Sequence, residues 1–191
     1  EIAAGDGTDV NRPFIVAELS ANHLGDIDRA LELVQAAGDS GADAIKLQTW
    51  SPGAMALPGH VIQSGPWAGR DLSDLYEEAH TPWEWHKTLF DHAKRLQMVG
   101  FSTPFDLEAV DFLETIGCPI YKISSFEVTD TPLIAKAAAT HKPMIISTGM
   151  ASQREIQQAV DTARESGCHD ITLLRCVSAY PAPVEEANLS L

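Results

Sequence analysis

Short apolar runs alternate with longer helical patterns along the whole chain, and this predicts an α/β fold, a (β/α)8 TIM barrel with about six of its eight β-α units present. The runs are continuous apolar pairs such as Ile145-Ile146 and Leu173-Leu174, without alternating polar residues, as in parallel strands buried on both faces. Polar side chains stand at the ends of nearly every run, which is where a barrel gathers its chemistry. A doubly wound nucleotide fold would instead carry a glycine-rich turn, and neither G-x-G-x-x-G nor a Walker-type loop is present.

The strands are expected, in order, at Phe14–Ser20, Ala44–Thr49, Val99–Thr103, Ile120–Ser125, Pro143–Thr148 and Ile171–Val177. Their spacing matches one strand–helix unit per step, apart from an insertion from about Ser51 to His80, rich in Pro and Gly, expected to be ordered over the active face. Thr81-Pro82-Trp83-Glu84 reads as a helix start with Thr81 as N-cap and Pro82 at the first helical position. Ser152 and Glu155 have capping-box spacing, and Ile156, Ala159, Val160 and Ala163 then form one apolar stripe. Residues 1–13 read as a lead-in and residues 14–191 as a partial barrel domain, β1 to β6.

The balance of 13 basic against 27 acidic residues, 13 − 27 = −14, works against binding a phosphate backbone, so nucleic acid is not expected as a partner. No run approaches the roughly 18 apolar residues of a membrane helix, and Glu1–Gly7 lacks the basic leader and apolar core of a secretory signal. A cytoplasmic protein without membrane partners is the expectation. Cys118, Cys168 and Cys176 are odd in number and lack C-x-x-C spacing, so they read as reduced, mostly buried thiols.

Lys46 and Lys122 lie inside apolar strands, where a cation is costly unless partnered. Either it pairs with a strand-end carboxylate, Glu18 or Glu127, or the two lysines converge on a small anion. The hydroxyls of Thr103, Ser125, Ser147 and Thr148 favour the second reading, because hydroxyls with ammonium groups cradle phosphate and carboxylate oxygens. Glu18 and Glu127 are the acid–base candidates, or else the lysines' counter-ions. Gln48 and Tyr180 complete the strand-end polar set.

The histidines do not suggest a metal site within the chain. His80, His86 and His92 are six apart and fall on different helix faces, so they read as exposed or helix-packing residues. His23 directly follows the first strand, at the rim. Trp83 and Trp85 read as packing residues.

Several segments occur in the order seen in sialic acid synthases: Ala17-Glu18-Leu19-Ser20-Ala21-Asn22-His23, Ile45-Lys46-Leu47-Gln48-Thr49, Phe101-Ser102-Thr103-Pro104-Phe105, Tyr121-Lys122-Ile123-Ser124-Ser125-Phe126-Glu127, Ser147-Thr148-Gly149-Met150 and Tyr180-Pro181-Ala182-Pro183. The chain resembles that family over essentially its whole length. Glu18–His23, Gly69–Trp85 and Ile146–Ala151 look most like its pseudaminic acid branch, with N-acetylneuraminate and legionaminate synthases as the alternative. The resemblance implies condensation of phosphoenolpyruvate with an amino-sugar aldehyde of the 6-deoxy-2,4-diacetamido-altrose type, giving a nine-carbon nonulosonic acid and phosphate. It implies Lys46, Thr103, Lys122, Ser125 and Ser147 on phosphoenolpyruvate, Gln48 and Tyr180 on the sugar, Glu18 by the aldehyde or water, and Glu127 near the reacting carbons. It also implies a divalent metal, Mn2+ or Mg2+, in a homodimer. The expected metal histidines and a C-terminal antifreeze-like domain would lie beyond Leu191, making the chain a fragment expected to be inactive alone. Leu24 stands where the family usually has asparagine or another polar residue, a change of small expected effect because Gly25 keeps the turn. From other classes, a Schiff-base aldolase using Lys46 or Lys122, or a non-catalytic barrel fragment, would explain the same lysines.

Overall fold

A computed structural model describes residues 12–51, 53–179 and 181–188; Tyr180 and most of the expected lead-in lie outside them. The chain divides into two compact units, one ending at Cys118 and the other beginning at Pro119. Both are built from parallel strands separated by helices, as the apolar pattern predicts.

The first unit contains β1 (Val16–Glu18), α1 (Ile27–Asp39), β2 (Ala44–Thr49), α2 (Leu72–Ala79), α3 (Trp83–Arg95), β3 (Val99–Pro104) and α4 (Leu107–Thr115). β2 lies between β1 and β3, with Glu18 opposite Lys46 and Gln48 opposite Thr103. Alternation along β2 sends Ile45 and Leu47 towards the helices and Lys46 and Gln48 to the other face. Ile45 and Leu47 join Leu19, Ala30, Val34, Leu89, Ala93 and Met98 in one buried cluster. Gly100 is required there: a Cβ on it would stand 2.6 Å from the Phe90 ring, so its absence lets α3 close on β3.

Asp26 caps α1 by accepting from the Asp28 and Arg29 N–H groups, and Asp106 caps α4 through the Ala109 N–H. The start of α3 differs from expectation. Pro82, not Thr81, occupies the N-cap position, without a side-chain cap; the Thr81 hydroxyl is bonded instead to His23 Nε2 at 3.2 Å. A long-range partner has displaced the local capping bond. The insertion is ordered by α2 and by an antiparallel bridge between Val61 and Asp71.

The second unit contains β4 (Tyr121–Ile123), α5 (Thr131–Ala138), β5 (Met144–Ser147), α6 (Gln153–Glu165) and β6 (Ile171–Leu174), followed by a 3-10 turn at Val184–Glu186. β5 pairs in parallel with β4 and with β6. The capping box of α6 forms as expected, with Ser152 and Glu155 satisfying one another's backbone N–H groups. Ala159, Val160 and Ala163 are its buried stripe. β1, β4 and β6 are shorter than their apolar runs suggest: the chain leaves the ladder after Glu18, Ile123 and Leu174, for turns in the first two cases. Cys118 and Cys168 are buried, Cys176 is half-buried, and all are free thiols. Among the described residues no helix is long and apolar enough to cross a membrane.

Candidate functional site

In the first unit the candidate residues from three adjacent strands meet around Lys46. Its ammonium is ion-paired with Glu18 and donates to Thr103 Oγ1 at 3.2 Å. Both partners lie on strands paired with β2, so the register itself brings the acid, the base and the hydroxyl together. Thr103 is buried, Lys46 and Gln48 are half-buried, and Glu18 is exposed. The Glu18 carboxylate also accepts from the Ser20 N–H at 3.1 Å. This is a charged cluster with one open side, suited to exchanging an internal carboxylate contact for the oxygens of an anionic ligand.

The turn after β1 is held from inside. His23 is buried, and burial, with His80 adding to it, keeps its pKa below the usual value. Its Nδ1 accepts from the Gly25 N–H at 3.0 Å, which leaves Nε2 to carry the proton and donate to Thr81. His23 therefore shapes the turn instead of lining the rim. Leu24, next to it, adopts φ 51° with its side chain exposed. Asparagine adopts that left-handed conformation more readily than leucine.

In the second unit Lys122 is 7% exposed and donates to the Ile123 carbonyl at 2.6 Å. Glu127 accepts a hydrogen bond from the Ser124 hydroxyl. Burial raises the Glu127 carboxyl above its ordinary value and nearby Asp130 adds to this; its own backbone N–H and Lys122 pull the other way. A carboxyl so placed holds its proton to higher pH than a surface glutamate. Ser125 Oγ accepts from the Gly149 N–H at 3.2 Å, and Ser147 is buried at the end of β5. A Cβ on Gly149 would stand 3.0 Å from Ser125 Oγ and would also collide with Ser178 Oγ. The backbone is thus exposed to hydroxyls where a side chain would fill the space. Thr148, by contrast, donates to the Leu174 carbonyl at 2.9 Å and serves to join β5 to β6.

Two participants escaped the sequence reading. Ser124 is one of them, and the local signal for it is that a serine three residues before a glutamate can reach it across a turn. His86, expected to be exposed or helix-packing, is buried against Phe90 and Phe112 and also bonds to Thr49. Trp83 and Trp85 pack as expected, the first stacked on Phe112 and the second edge-on to His23.

Residues 33–191 match the NeuB family. The chain belongs to that family. It is similar to the pseudaminic acid synthase of Helicobacter pylori, with 49% identity over 181 residues covering 93% of this chain and 53% of the relative. Similarity also extends to the N,N'-diacetyllegionaminic acid synthase of Campylobacter jejuni, 38% identical over 94% of this chain and 56% of that protein. Among solved structures it is similar to the N-acetylneuraminic acid synthetase of Leptospira borgpetersenii serovar Hardjo-bovis in complex with citrate, with a TM-score of 0.83, 32% identity and coverage of 94% of this chain and 59% of that one. This NeuB-family chain spans about half the length of the relatives it matches.

Proposed function

We propose that the complete protein is a phosphoenolpyruvate-dependent synthase of the pseudaminic type, joining phosphoenolpyruvate to a 2,4-diacetamido sugar aldehyde. The observation that carries this reading is the Lys46 cluster, in which adjacent parallel strands supply an ammonium, a carboxylate and a buried hydroxyl to one point in a NeuB-family chain. In this proposal the complete chain closes as a (β/α)8 TIM barrel, with β1 to β6 as six of its units. The greater identity to pseudaminic than to legionaminic acid synthases supports the choice of sugar. Citrate in the complex of the Leptospira relative is a polycarboxylate, which supports an anion-binding role.

Lys46, Thr103, Lys122, Ser125 and Ser147 would hold the phosphate and carboxylate oxygens, the ammonium groups supplying charge and the hydroxyls direction. Gln48 and Tyr180 would contact the sugar. C3 of phosphoenolpyruvate attacks the aldehyde carbon, the new oxyanion takes a proton, water adds at C2, and the C2–O bond breaks to release phosphate. Glu18 would move a proton at the aldehyde oxygen or the water. Glu127, with its raised pKa, would serve beside the reacting carbons as an acid. A divalent cation, Mn2+ or Mg2+, and a homodimeric, cytoplasmic assembly belong to the proposal for the complete enzyme. Among the described residues no three His, Cys, Asp or Glu side chains come together as a metal site.

The test is phosphate release by the full-length protein, given phosphoenolpyruvate with a panel of 2-acetamido and 2,4-diacetamido hexoses and a divalent cation. Release only with a 2,4-diacetamido sugar is expected; sugar-independent release would sink the reading.

A further inference from the structure

Behind the Lys46 cluster, on the helix side of the same strands, lies a buried polar chain. Thr49 Oγ1 is 2.6 Å from Ser102 Oγ and 2.8 Å from His86 Nε2, and His86 Nδ1 is 3.2 Å from the Pro82 carbonyl. Thr49, Ser102 and His86 are each fully buried. A carbonyl only accepts, so Nδ1 carries the ring proton and Nε2 accepts from the Thr49 hydroxyl. With Nδ1 protonated, the Thr49 oxygen accepts from Ser102, and the ring is held further by the Gln48 and Trp83 backbone. Burial drives the His86 pKa down to about 4, which keeps the ring neutral as this pattern requires.

The position of the chain gives it a role beyond packing. Thr49 adjoins Gln48, and Ser102 adjoins Thr103; successive residues on a strand point to opposite faces. Fixing Thr49 and Ser102 from behind therefore fixes the height and rotation of Gln48 and Thr103 in front. The first turn of α3 is tied to the end of β2 at a further point, through Trp83 Nε1 to the Trp50 carbonyl at 2.9 Å. A buried hydroxyl pair with a neutral imidazole is costly to place among Phe90 and Phe112 unless every bond is made.

We infer that His86 is a positioning residue for phosphoenolpyruvate: through Thr49 and Ser102 it holds the ends of β2 and β3 so that Thr103 and Lys46 meet the ligand. The inference rests on the phosphoenolpyruvate reading above and adds to it a residue that never touches substrate. A purely structural His86 would, when replaced, lower the folded fraction and leave the affinity of the folded molecules intact. A positioning His86 changes that affinity.

The experiment uses the full-length protein and its His86→Leu, His86→Gln and Ser102→Ala variants, measuring KM and Kd for phosphoenolpyruvate alongside the folded fraction by circular dichroism. His86→Leu is expected to raise KM and Kd about tenfold, less than the roughly hundredfold loss that a misplacement of about 1 Å can bring. His86→Gln, whose amide can donate to Pro82 and accept from Thr49, is expected to recover most of the loss. Ser102→Ala should fall between, and it decides the matter if His86→Leu does not fold. KM and Kd unchanged in the folded variants would overturn the inference while leaving the synthase reading in place. A parent protein that binds phosphoenolpyruvate but never releases phosphate overturns the reading alone, since Kd still reports on His86. A parent that does not bind it overturns both.

Discussion

The two units carry their charges differently. In the first, Lys46 is matched by Glu18 and Thr103 across the strand register, so the cation has a carboxylate partner at hand. In the second, Lys122 donates to the Ile123 carbonyl and Glu127 is turned to Ser124, while burial raises the acid's pKa. The contrast is between a lysine paired with its carboxylate and an acid turned to a hydroxyl instead. A paired, half-open cation suits binding of an anion, whereas a half-buried carboxyl with a raised pKa suits proton transfer.

The contrast breaks most visibly at Glu127. In the complete enzyme Glu127→Gln is expected to lower kcat by about 10³-fold or more, on the scale of a lost proton-transfer group, while leaving the Kd for phosphoenolpyruvate within about threefold. Stopped-flow phosphate release and calorimetric titration measure the two. Equal losses in both would make Glu127 a binding residue and not a proton donor.

A second prediction concerns acid stability of the first unit. The folded His86 pKa of about 4 lies below the unfolded 6.5, so the unfolded chain takes up the proton first as pH falls. Stability supplied by the neutral ring is complete above pH 6.5 and is lost as pH falls towards 4, by about 3 kcal/mol for that shift. Urea unfolding of the parent and of His86→Gln across this window checks it, with a shallower pH slope expected in the variant. Glu127 works with the opposite sign: its raised folded pKa makes ionisation costly in the folded state as pH rises past 4.5, so Glu127→Gln is expected to gain stability at neutral pH.

Smaller effects sharpen the picture of local structure. Ser152→Ala removes one half of the α6 capping box and is expected to cost about 1 kcal/mol. Leu24→Asn relieves the left-handed strain beside His23 and is expected to stabilise by about 1 kcal/mol, read as a rise in urea midpoint.

Much of this architecture is legible in the sequence because it is written in local patterns. The continuous apolar pairs mark β5 and β6, the Ser152 to Glu155 spacing marks the start of α6, and a lysine inside Ala44–Thr49 announces a partner. What is hidden depends on distant residues. Thr81 looks like an N-cap until His23, 58 residues away, takes its hydroxyl. His86 looks like packing until Thr49, 37 residues away, supplies a hydrogen bond. Local spacing cannot reveal either contact, because both join residues that only tertiary packing brings together. α2 is concealed for another reason: eight helical residues inside a Pro- and Gly-rich insertion make too short a period to stand out.

The central claim is that the strand-end lysines hold phosphoenolpyruvate. It is tested most directly by calorimetric titration of phosphoenolpyruvate into the full-length protein, Lys46→Ala and Lys122→Ala, each checked for folding. Each substitution is expected to weaken binding by about tenfold or more, as when a charge-assisted contact to an anion is lost. Parental affinity in a folded Lys46→Ala or Lys122→Ala protein would contradict it.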